Sequence, residues 1–564
     1  MGKQPSQKFT KADLIARFMV SKNVPAVFEL SGGMIAFLTD AISRLAKTPI
    51  ISTRHEQAAG FAAEGATRVS GESAVAMGTS GPGATNLITA IASSFFDSVP
   101  TIFITGQVNQ NEIKKSYSQR QNGFQELDIV QLVKEITKHA VVIDSKMDIE
   151  HELEKAWQIA NEGRPGPVLL DIPIDVQQES ATSNLSVTTF ENCLDTIDTR
   201  VQIIIEHFKA SERPLFLAGG GIRTSNSVDI MRNIVEQFQI PVVHSLMGSD
   251  VLESNSDYRV GMLGSYGNRW ANRAVAKADL LIVLGSRLDI RQTGSDLSGF
   301  SKDKKIIRID IDNSELEGRL KADLSLNMDL KVFLKLLQKE NFVFQDTGWL
   351  ESIRREEVDF PQHREQPVGV TFNPDGIMRW IAEVSTESNG YVVDVGQHQM
   401  WAAQSLKIRK HQRFLTSGGL GAMGYAIPSA IGASIAAKGR WVVIAGDGCA
   451  QLSISELQTI KQLNLPITIC IINNNQHGMV AQFQESNMNG RYIATRDGYS
   501  TPDFCEVARA YGIEAHSIST VEEMELLTDL AANQSSSPIL FEFLISNEAK
   551  ALPKMEMGSS VQDL

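Results

Sequence analysis

Two short stretches place hard oxygen donors at the ends of apolar runs. Trp441–Ala445 leads into Gly446-Asp447-Gly448, and Ile467–Ile472 leads into Asn473-Asn474-Asn475. Short apolar runs bounded by turn residues read as buried strands, and the glycines at 446 and 448 allow a sharp turn and close approach to a ligand. In a parallel sheet the carboxyl ends of neighbouring strands open onto one crevice. That crevice would hold the Asp447 carboxylate and the Asn474 amide oxygen, donors of the kind Mg²⁺ takes when few protein groups and a diphosphate complete its shell. Alone, Gly-Asp-Gly is an ordinary turn and the asparagine run an ordinary strand end. Their pairing between two buried strands is what marks a site.

A third stretch, Arg54-His55-Glu56-Gln57-Ala58-Ala59, sets a glutamate where a strand runs into a helix. A glutamate in a first helical turn is usually a solvated partner of the helix dipole. Here Ala58, Ala59, Gly60, Phe61, Ala62 and Ala63 would bury the helix, so the Glu56 carboxyl would be partly desolvated.

The elements that must carry these groups alternate. Strand-like Ala26–Leu30, Pro49–Ser52, Ser73–Gly78, Pro100–Thr105 and Val168–Ile172 are separated by helical patterns, the first helix starting at Thr10 with Asp13 behind it. In the middle of the chain Pro214–Ala218 runs into Gly219-Gly220-Gly221. Asp279–Leu284 runs into Gly285-Ser286-Arg287-Leu288-Asp289-Ile290-Arg291, and Lys305–Ile311 ends near Asp310 and Asp312. Strand ends that offer glycines, arginines and acids suit a dinucleotide, with backbone for phosphates, Arg for charge and Asp for ribose hydroxyls. Tyr391–Val395 and the two runs already described continue the alternation. The fold class is α/β, with three doubly wound parallel-sheet domains expected at 8–180, 190–345 and 366–550. Gln177–Val187, rich in Ser, Thr and Gln, and Glu340–Gln366, charged and proline-bearing, read as linkers.

Composition narrows the function class. The 564 residues exceed a single core, and 42% hydrophobic with 21% charged residues describe an ordinary globular protein. A net charge of −13 leaves no basic surplus for nucleic acid. Cys193, Cys449, Cys470 and Cys505 have neither metal-site nor disulfide spacing, which points to a reducing compartment. Met1–Thr10 is polar and no run reaches the length of a membrane span, so a cytoplasmic location without a membrane partner is expected.

Several motifs, in order and spacing, resemble the acetolactate synthase branch of the thiamine-diphosphate (ThDP) enzymes. They are Arg54–Ala59, Thr79-Ser80-Gly81-Pro82-Gly83-Ala84-Thr85-Asn86, Asp97-Ser98-Val99-Pro100, Thr105-Gly106-Gln107, Gly396-Gln397-His398-Gln399-Met400-Trp401 and Ser417-Gly418-Gly419-Leu420-Gly421-Ala422-Met423-Gly424. The resemblance spans roughly residues 10–545. It implies an N-terminal pyrimidine-binding domain, a central Rossmann-like FAD domain and a C-terminal diphosphate-binding domain. By that match Asp447 and Asn474 give Mg²⁺ side-chain ligands and Gln476 a backbone carbonyl. Gln397 and His398 contact the diphosphate, Met423 wedges between the cofactor's two rings, and Asn86, Gly421, Gly446, Gly448 and Met479 complete the cofactor set. Glu56 takes the proton-relay role, and Phe124, Gln125 and Gly33 line the reacting centre. FAD falls to Gly219, Gly220, Gly221, Arg287, Asp289, Arg291 and Asp310. The family's Arg-Phe-Asp-Asp-Arg here lacks its second Asp, which leaves FAD, ADP and an empty domain open. The resemblance also implies a homodimer or dimer of dimers, with Glu56 of one chain facing the diphosphate site of the other.

Departures fall around the acceptor. Arg291 matches an arginine able to bind a carboxylate. Ser265 stands where the family has Met, Phe483 where it has Trp, Ile174 where it has Lys, and Leu30-Ser31-Gly32-Gly33 where it has Tyr-Pro-Gly-Gly. Each change near the acceptor removes bulk or charge. The expected activity is decarboxylation of a 2-keto acid, with pyruvate as donor, and transfer of the acetyl unit to a carbonyl acceptor. The acceptor is a second keto acid or a nucleotide-linked keto sugar. A flavin-dependent pyruvate oxidase and a non-catalytic cofactor-binding regulator are the readings from other classes.

Overall fold

Strands such as Trp441–Gly446 and Ile467–Asn473 are mostly apolar because helices cover both faces of their sheet, and every residue in both is buried. The computed structural model describes residues 9–181 and 199–560 apart from 115, 117, 347, 534, 535 and 557, with side chains at 199 and 200 also outside the description. Cys193 and residues 182–187 of the first linker lie outside the described residues. The described strands form three six-stranded parallel sheets and one two-stranded antiparallel ribbon, Phe9–Thr10 with Ser180–Ala181.

The N-terminal sheet runs Ile50–Ser52, Val27–Glu29, Val75–Gly78, Ile102–Gln107, Val168–Pro173, His139–Val142. The C-terminal sheet runs Arg413–Leu415, Gly390–Val393, Trp441–Gly446, Ile467–Asn473, Ile539–Leu544, Glu514–Ile518. Counted along the chain, both have the order 2-1-3-4-6-5. The central sheet runs Arg259–Met262, Val242–His244, Pro214–Ala218, Leu280–Leu284, Lys305–Asp310, Leu324–Asn327. That is the order 3-2-1-4-5-6 of dinucleotide-binding sheets, whose crevice opens between the first and fourth strands.

Apart from Ile539–Leu544, the strands missing from the sequence expectation are short or lie at sheet edges. His139–Val142 is half-buried throughout, its apolar run limited to Ala140–Ile143, and Leu324–Asn327 alternates with polar residues. The expected helix start at Thr10 is a capping box: Asp13 N donates to Thr10 Oγ1 (3.2 Å) and Thr10 N to Asp13 Oδ2 (2.9 Å). The first linker reading needs correction over residues 177–181, and the second over its helical part. Gln177 closes the helix Ile174–Gln178 and its buried amide donates to the Met34 and Ile172 carbonyls, both at 2.8 Å. The second linker contains the helix Trp349–Asp359, whose Trp349 Nε1 donates to the Pro214 carbonyl (3.1 Å) while Glu356 accepts from Arg273 (2.7 Å). Its charges face outward, and Trp349 and Ile353, one turn apart, supply the buried stripe.

The outer domains meet through two helices of small residues, Glu56–Ser70 and Ala426–Ala436. A Cβ on Gly432 would fall on the Ala62 carbonyl, and one on Gly65 on the Ser429 carbonyl. Backbone against backbone leaves nothing that can yield. Gly432→Ala is therefore expected to cost about 1–3 kcal/mol or more of stability by overpacking, read as an earlier urea midpoint. An unchanged midpoint would mean that the two helices can separate without loss.

Candidate active site

The register pairs Gly446 with Ile472, so Asp447 and Asn474 leave neighbouring parallel strands at the same end, as the sequence requires. The strand order reverses between Gly390–Val393 and Trp441–Gly446, and at that switch point the helix Gln397–Ser405 begins. Asp447 Oδ1 accepts from Gly448 N (2.8 Å) and Oδ2 from Gln476 N (3.2 Å). Burial is the largest influence on this carboxyl and lifts it to about 6, against the backbone bonds. Burial takes the His398 ring down to about 3, so it is neutral. Its Nε2 accepts from Gly446 N (3.2 Å), which leaves the proton on Nδ1.

The glycines act differently from the sequence expectation. Neither Gly446 nor Gly448 has positive φ. A Cβ on Gly446 would lie 2.9 Å from His398 Cε1 and one on Gly448 2.8 Å from His477 Cε1, so both make room for imidazoles. Gly421 does take positive φ (+72°), in the loop that carries half-buried Met423. Asp394 anchors this loop by accepting from Gly424 N (2.9 Å) and Ala426 N (2.8 Å).

The donor set fits a cation and a phosphate. Asn474 Nδ2 donates to Gln397 Oε1 (3.0 Å), which turns Asn474 Oδ1 away from that bond. The Gln476 side chain is committed at both ends, Nε2 to the Asn547 carbonyl (2.7 Å) and Oε1 from Arg496 Nε (2.6 Å), so its backbone carbonyl is what it offers. Tyr499 Oη is buried with no hydrogen-bond partner among the described residues and lies 3.1 Å from where a side chain on Gly448 would begin. A buried hydroxyl that faces Asp447 without a well-formed bond to it suits a phosphate oxygen. The Gln397 side chain is bonded to Asn474, Gln482 and the Ala549 carbonyl, so what it can offer a diphosphate is its amide at the helix start.

In the N-terminal domain Glu56 opens the helix Glu56–Ser70 and is buried. Asn86 Nδ2 donates to Glu56 Oε2 (2.9 Å), so Asn86 orients the glutamate instead of meeting the cofactor with that amide. Glu56 Oε1 lies 3.2 Å from where a side chain on Gly83 would start. Gln125 has φ +65° and packs on Gly81, while Phe124 is 81% exposed and a side chain on Gly33 would meet open space. The loop bearing Phe124 and Gln125 is tied down by Gln107 Nε2, which donates to the Leu127 carbonyl (2.7 Å) and to Asp171 Oδ2 (2.9 Å). Burial raises Asp171 from 3.8 to about 7. A folded-state value above the unfolded one gives stabilisation that is full below 3.8 and lost as pH rises through about 7. Thr105 Oγ1 can switch to accept from an amide here, so Asp171→Asn is expected to fold. The fall in unfolding temperature between about pH 5 and pH 8 should be smaller in the variant than in the parent. An identical fall in both would show that Asp171 does not titrate there.

A cavity of about 670 Å³ opens at the switch point of the central sheet. Gly220, Gly221, Arg287, Asp289, Arg291 and Asp310 line it. Gly219 does not: its N donates to the Leu284 carbonyl (2.9 Å) and a Cβ would strike Gly285. The glycines let the two strand-end loops touch, with Gly221 N donating to the Gly285 carbonyl (3.0 Å) and Gly285 at φ +58°. Asp289 caps the helix Ile290–Thr293, its Oδ1 accepting from Arg291 N (2.9 Å) and Gln292 N (3.2 Å). Ser265 and Arg291 share one wall, where Ser265 Oγ donates to the Arg291 carbonyl (3.1 Å). Phe483 is not part of that wall and stands 47% exposed on the helix Gly478–Asn487. Among the described residues no hydrogen bond joins the Glu56 group to the Asp447 group. His477, Gln482 and Tyr499 were not singled out in the sequence, since each takes its meaning from a distant backbone or ring.

Two outer sheets of one strand order, a dinucleotide-type sheet between them, a hard-oxygen crevice and a buried glutamate define a cofactor-dependent α/β enzyme. The chain belongs to the thiamine pyrophosphate enzyme family: residues 9–132 match its N-terminal TPP binding domain, 201–337 its central domain and 394–543 its C-terminal TPP binding domain. Its relatives include the acetolactate synthase large subunit of Lactococcus lactis subsp. lactis, 35% identical over 97% of this chain and 94% of that protein. That of Parasynechococcus marenigrum is 36% identical over 95% of this chain and 88% of its own length. The isozyme 2 large subunit of Escherichia coli is 33% identical over 98% of both.

Proposed function

We propose that the chain is a ThDP- and Mg²⁺-dependent decarboxylating carboligase that takes pyruvate as donor and a second 2-keto acid as acceptor. The observation that carries this reading is similarity to acetolactate synthase large subunits over nearly the whole chain. The pairing of Asp447 with Asn474 and the buried Glu56 supply the matching chemistry. Nothing in the relatives favours a keto-sugar acceptor or an oxidase.

When bound, ThDP supplies a carbon nucleophile for the keto group and a sink for the electrons left by CO₂. The chain's own part is positioning and proton handling. Asp447, Asn474 Oδ1 and the Gln476 carbonyl hold Mg²⁺, and the amides at Gln397 and Gly448 with the Tyr499 hydroxyl receive the diphosphate. Met423 would support the cofactor's rings, and Glu56, held by Asn86, would exchange a proton with its pyrimidine ring. Arg291 offers two parallel donors to the acceptor's carboxylate. FAD, in the same proposal, occupies the central cavity, whose arginines and acids suit phosphates and ribose.

The exposed Phe124, Val480 and Phe483 support a homodimer in which each half-site completes the other's, with dimers free to pair. No described helix is long and apolar enough to cross a membrane, and a cytoplasmic place for the enzyme remains part of the proposal. The test is carbon-13 pyruvate with ThDP and Mg²⁺, alone and with a panel of keto acids and keto-sugar nucleotides, read by mass shift. Acetolactate from pyruvate alone is expected; a product formed only with a keto-sugar nucleotide would overturn the acceptor.

A further inference from the structure

Gln482 sits 7% exposed on the helix Gly478–Asn487, one residue before Phe483, and holds the C-terminal segment as a strand partner would. Its Nε2 donates to the Ala551 carbonyl (3.0 Å) and its Oε1 accepts from Ala551 N (3.0 Å). The same Oε1 accepts from Gln397 Nε2 (3.0 Å), which also donates to the Ala549 carbonyl (3.2 Å). Gln397 Oε1 in turn accepts from Asn474 Nδ2 (3.0 Å).

The polarity of this chain of amides is decided by backbone groups, the N–H and C=O of Ala551 acting on Gln482 and the carbonyl of Ala549 acting on Gln397. A side-chain amide can be turned over, but the N–H and C=O of Ala551 cannot. They oblige Gln482 to present its oxygen to Ala551 N and Gln397. Gln397 must then show its nitrogen to Gln482 and its oxygen to Asn474. Asn474 must donate through nitrogen, and its Oδ1 is left for the crevice. Turning over any member would set donor against donor or acceptor against acceptor in a buried place, where unmade hydrogen bonds are costly.

We propose that Gln482 is a positioning residue for the cation site, transmitting the fixed polarity of the Ala549–Ala551 backbone through Gln397 to the amide of Asn474. This inference rests on the reading of Asn474 as a Mg²⁺ ligand. It gives the C-terminal segment a part in cofactor binding that its sequence does not reveal.

The test titrates Mg²⁺ at fixed ThDP and follows ThDP binding by tryptophan fluorescence, without turnover. Gln482→Leu is expected to raise the Mg²⁺ concentration for half-saturation about tenfold or more, the usual cost of losing an outer-shell partner. An Asp at position 474 offers oxygen whichever way it turns. Gln482→Leu should therefore add no further loss to Asn474→Asp, and additive losses would overturn the proposal by showing a merely structural effect. If Gln482→Leu does not fold, Gln482→Met, which keeps the length of the side chain and lacks both amide groups, takes its place and should show the same raised requirement; a parental requirement there overturns the proposal. Asp447→Asn is the reference. If the parent shows no Mg²⁺-dependent ThDP binding, the cation reading falls and takes this inference with it. If parent and Asp447→Asn differ while Gln482→Leu matches the parent, the inference alone falls.

Discussion

Glu56→Gln should slow turnover of pyruvate by about 10²–10⁴-fold, the range that a positioned acid or base contributes, while ThDP and Mg²⁺ still bind. The geometry separates the two effects. Glu56 is 6% exposed at the start of a buried helix, with Oε2 taken by Asn86 Nδ2 at 2.9 Å. A glutamine can keep that bond through its own oxygen and fill the same space. It then presents an NH₂ where the carboxyl presents an oxygen able to take up and return a proton, so it can donate a hydrogen bond but cannot relay the proton. Asn86→Leu leaves the carboxyl in place and removes only its support, so its loss should be smaller than that of Glu56→Gln. Steady-state kcat beside a separate ThDP titration distinguishes chemistry from binding. Parental kcat in Glu56→Gln would remove the residue from the mechanism, and loss of ThDP binding with it would make its role structural.

What could be read in the sequence follows from burial. The central strands of each sheet are covered on both faces and appear as apolar runs, so Pro214–Ala218 and Trp441–Gly446 were legible almost to the residue. Edge strands such as Leu324–Asn327 carry no such run. Asp447 and Asn474 were legible because a parallel register makes strand ends neighbours without any further information. The reason for Gly446 was not, because the imidazole that needs the space comes from His398, on another strand's following helix. Gln482 was opaque for the same cause at longer range: its partner Ala551 is 69 residues away, and only the fold brings a backbone N–H and C=O to one amide. Likewise the motif around Arg287 and Asp289 suggested ligand contacts, whereas the Asp289 side chain caps a helix and Arg291 turns its carbonyl to Ser265. Sequence spacing names the groups at strand ends; it does not say which of them the chain has already used on itself.

Asp447→Asn is expected to have the other large effect, on binding. Among the three groups read as cation ligands Asp447 is the one carboxylate; Asn474 and the Gln476 carbonyl are neutral. It also ties the two strand ends together, accepting from Gly448 N at 2.8 Å and Gln476 N at 3.2 Å. An amide in its place accepts through one oxygen only, so one of these bonds is lost along with the charge. Loss of an outer-shell partner costs about 10–100-fold in metal affinity, and loss of a charged ligand should exceed the top of that range. A protein held at ligand concentrations of about 100 times Kd gains about 2.7 kcal/mol of stability from binding. At concentrations that give the parent this gain, the variant should gain almost none. The unfolding temperature of each, with and without Mg²⁺ and ThDP, measures the difference directly. The comparison also controls for folding, because both ligand-free proteins provide their own baseline. An equal ligand-induced rise in parent and variant would show that the cation, if it binds, does so without Asp447.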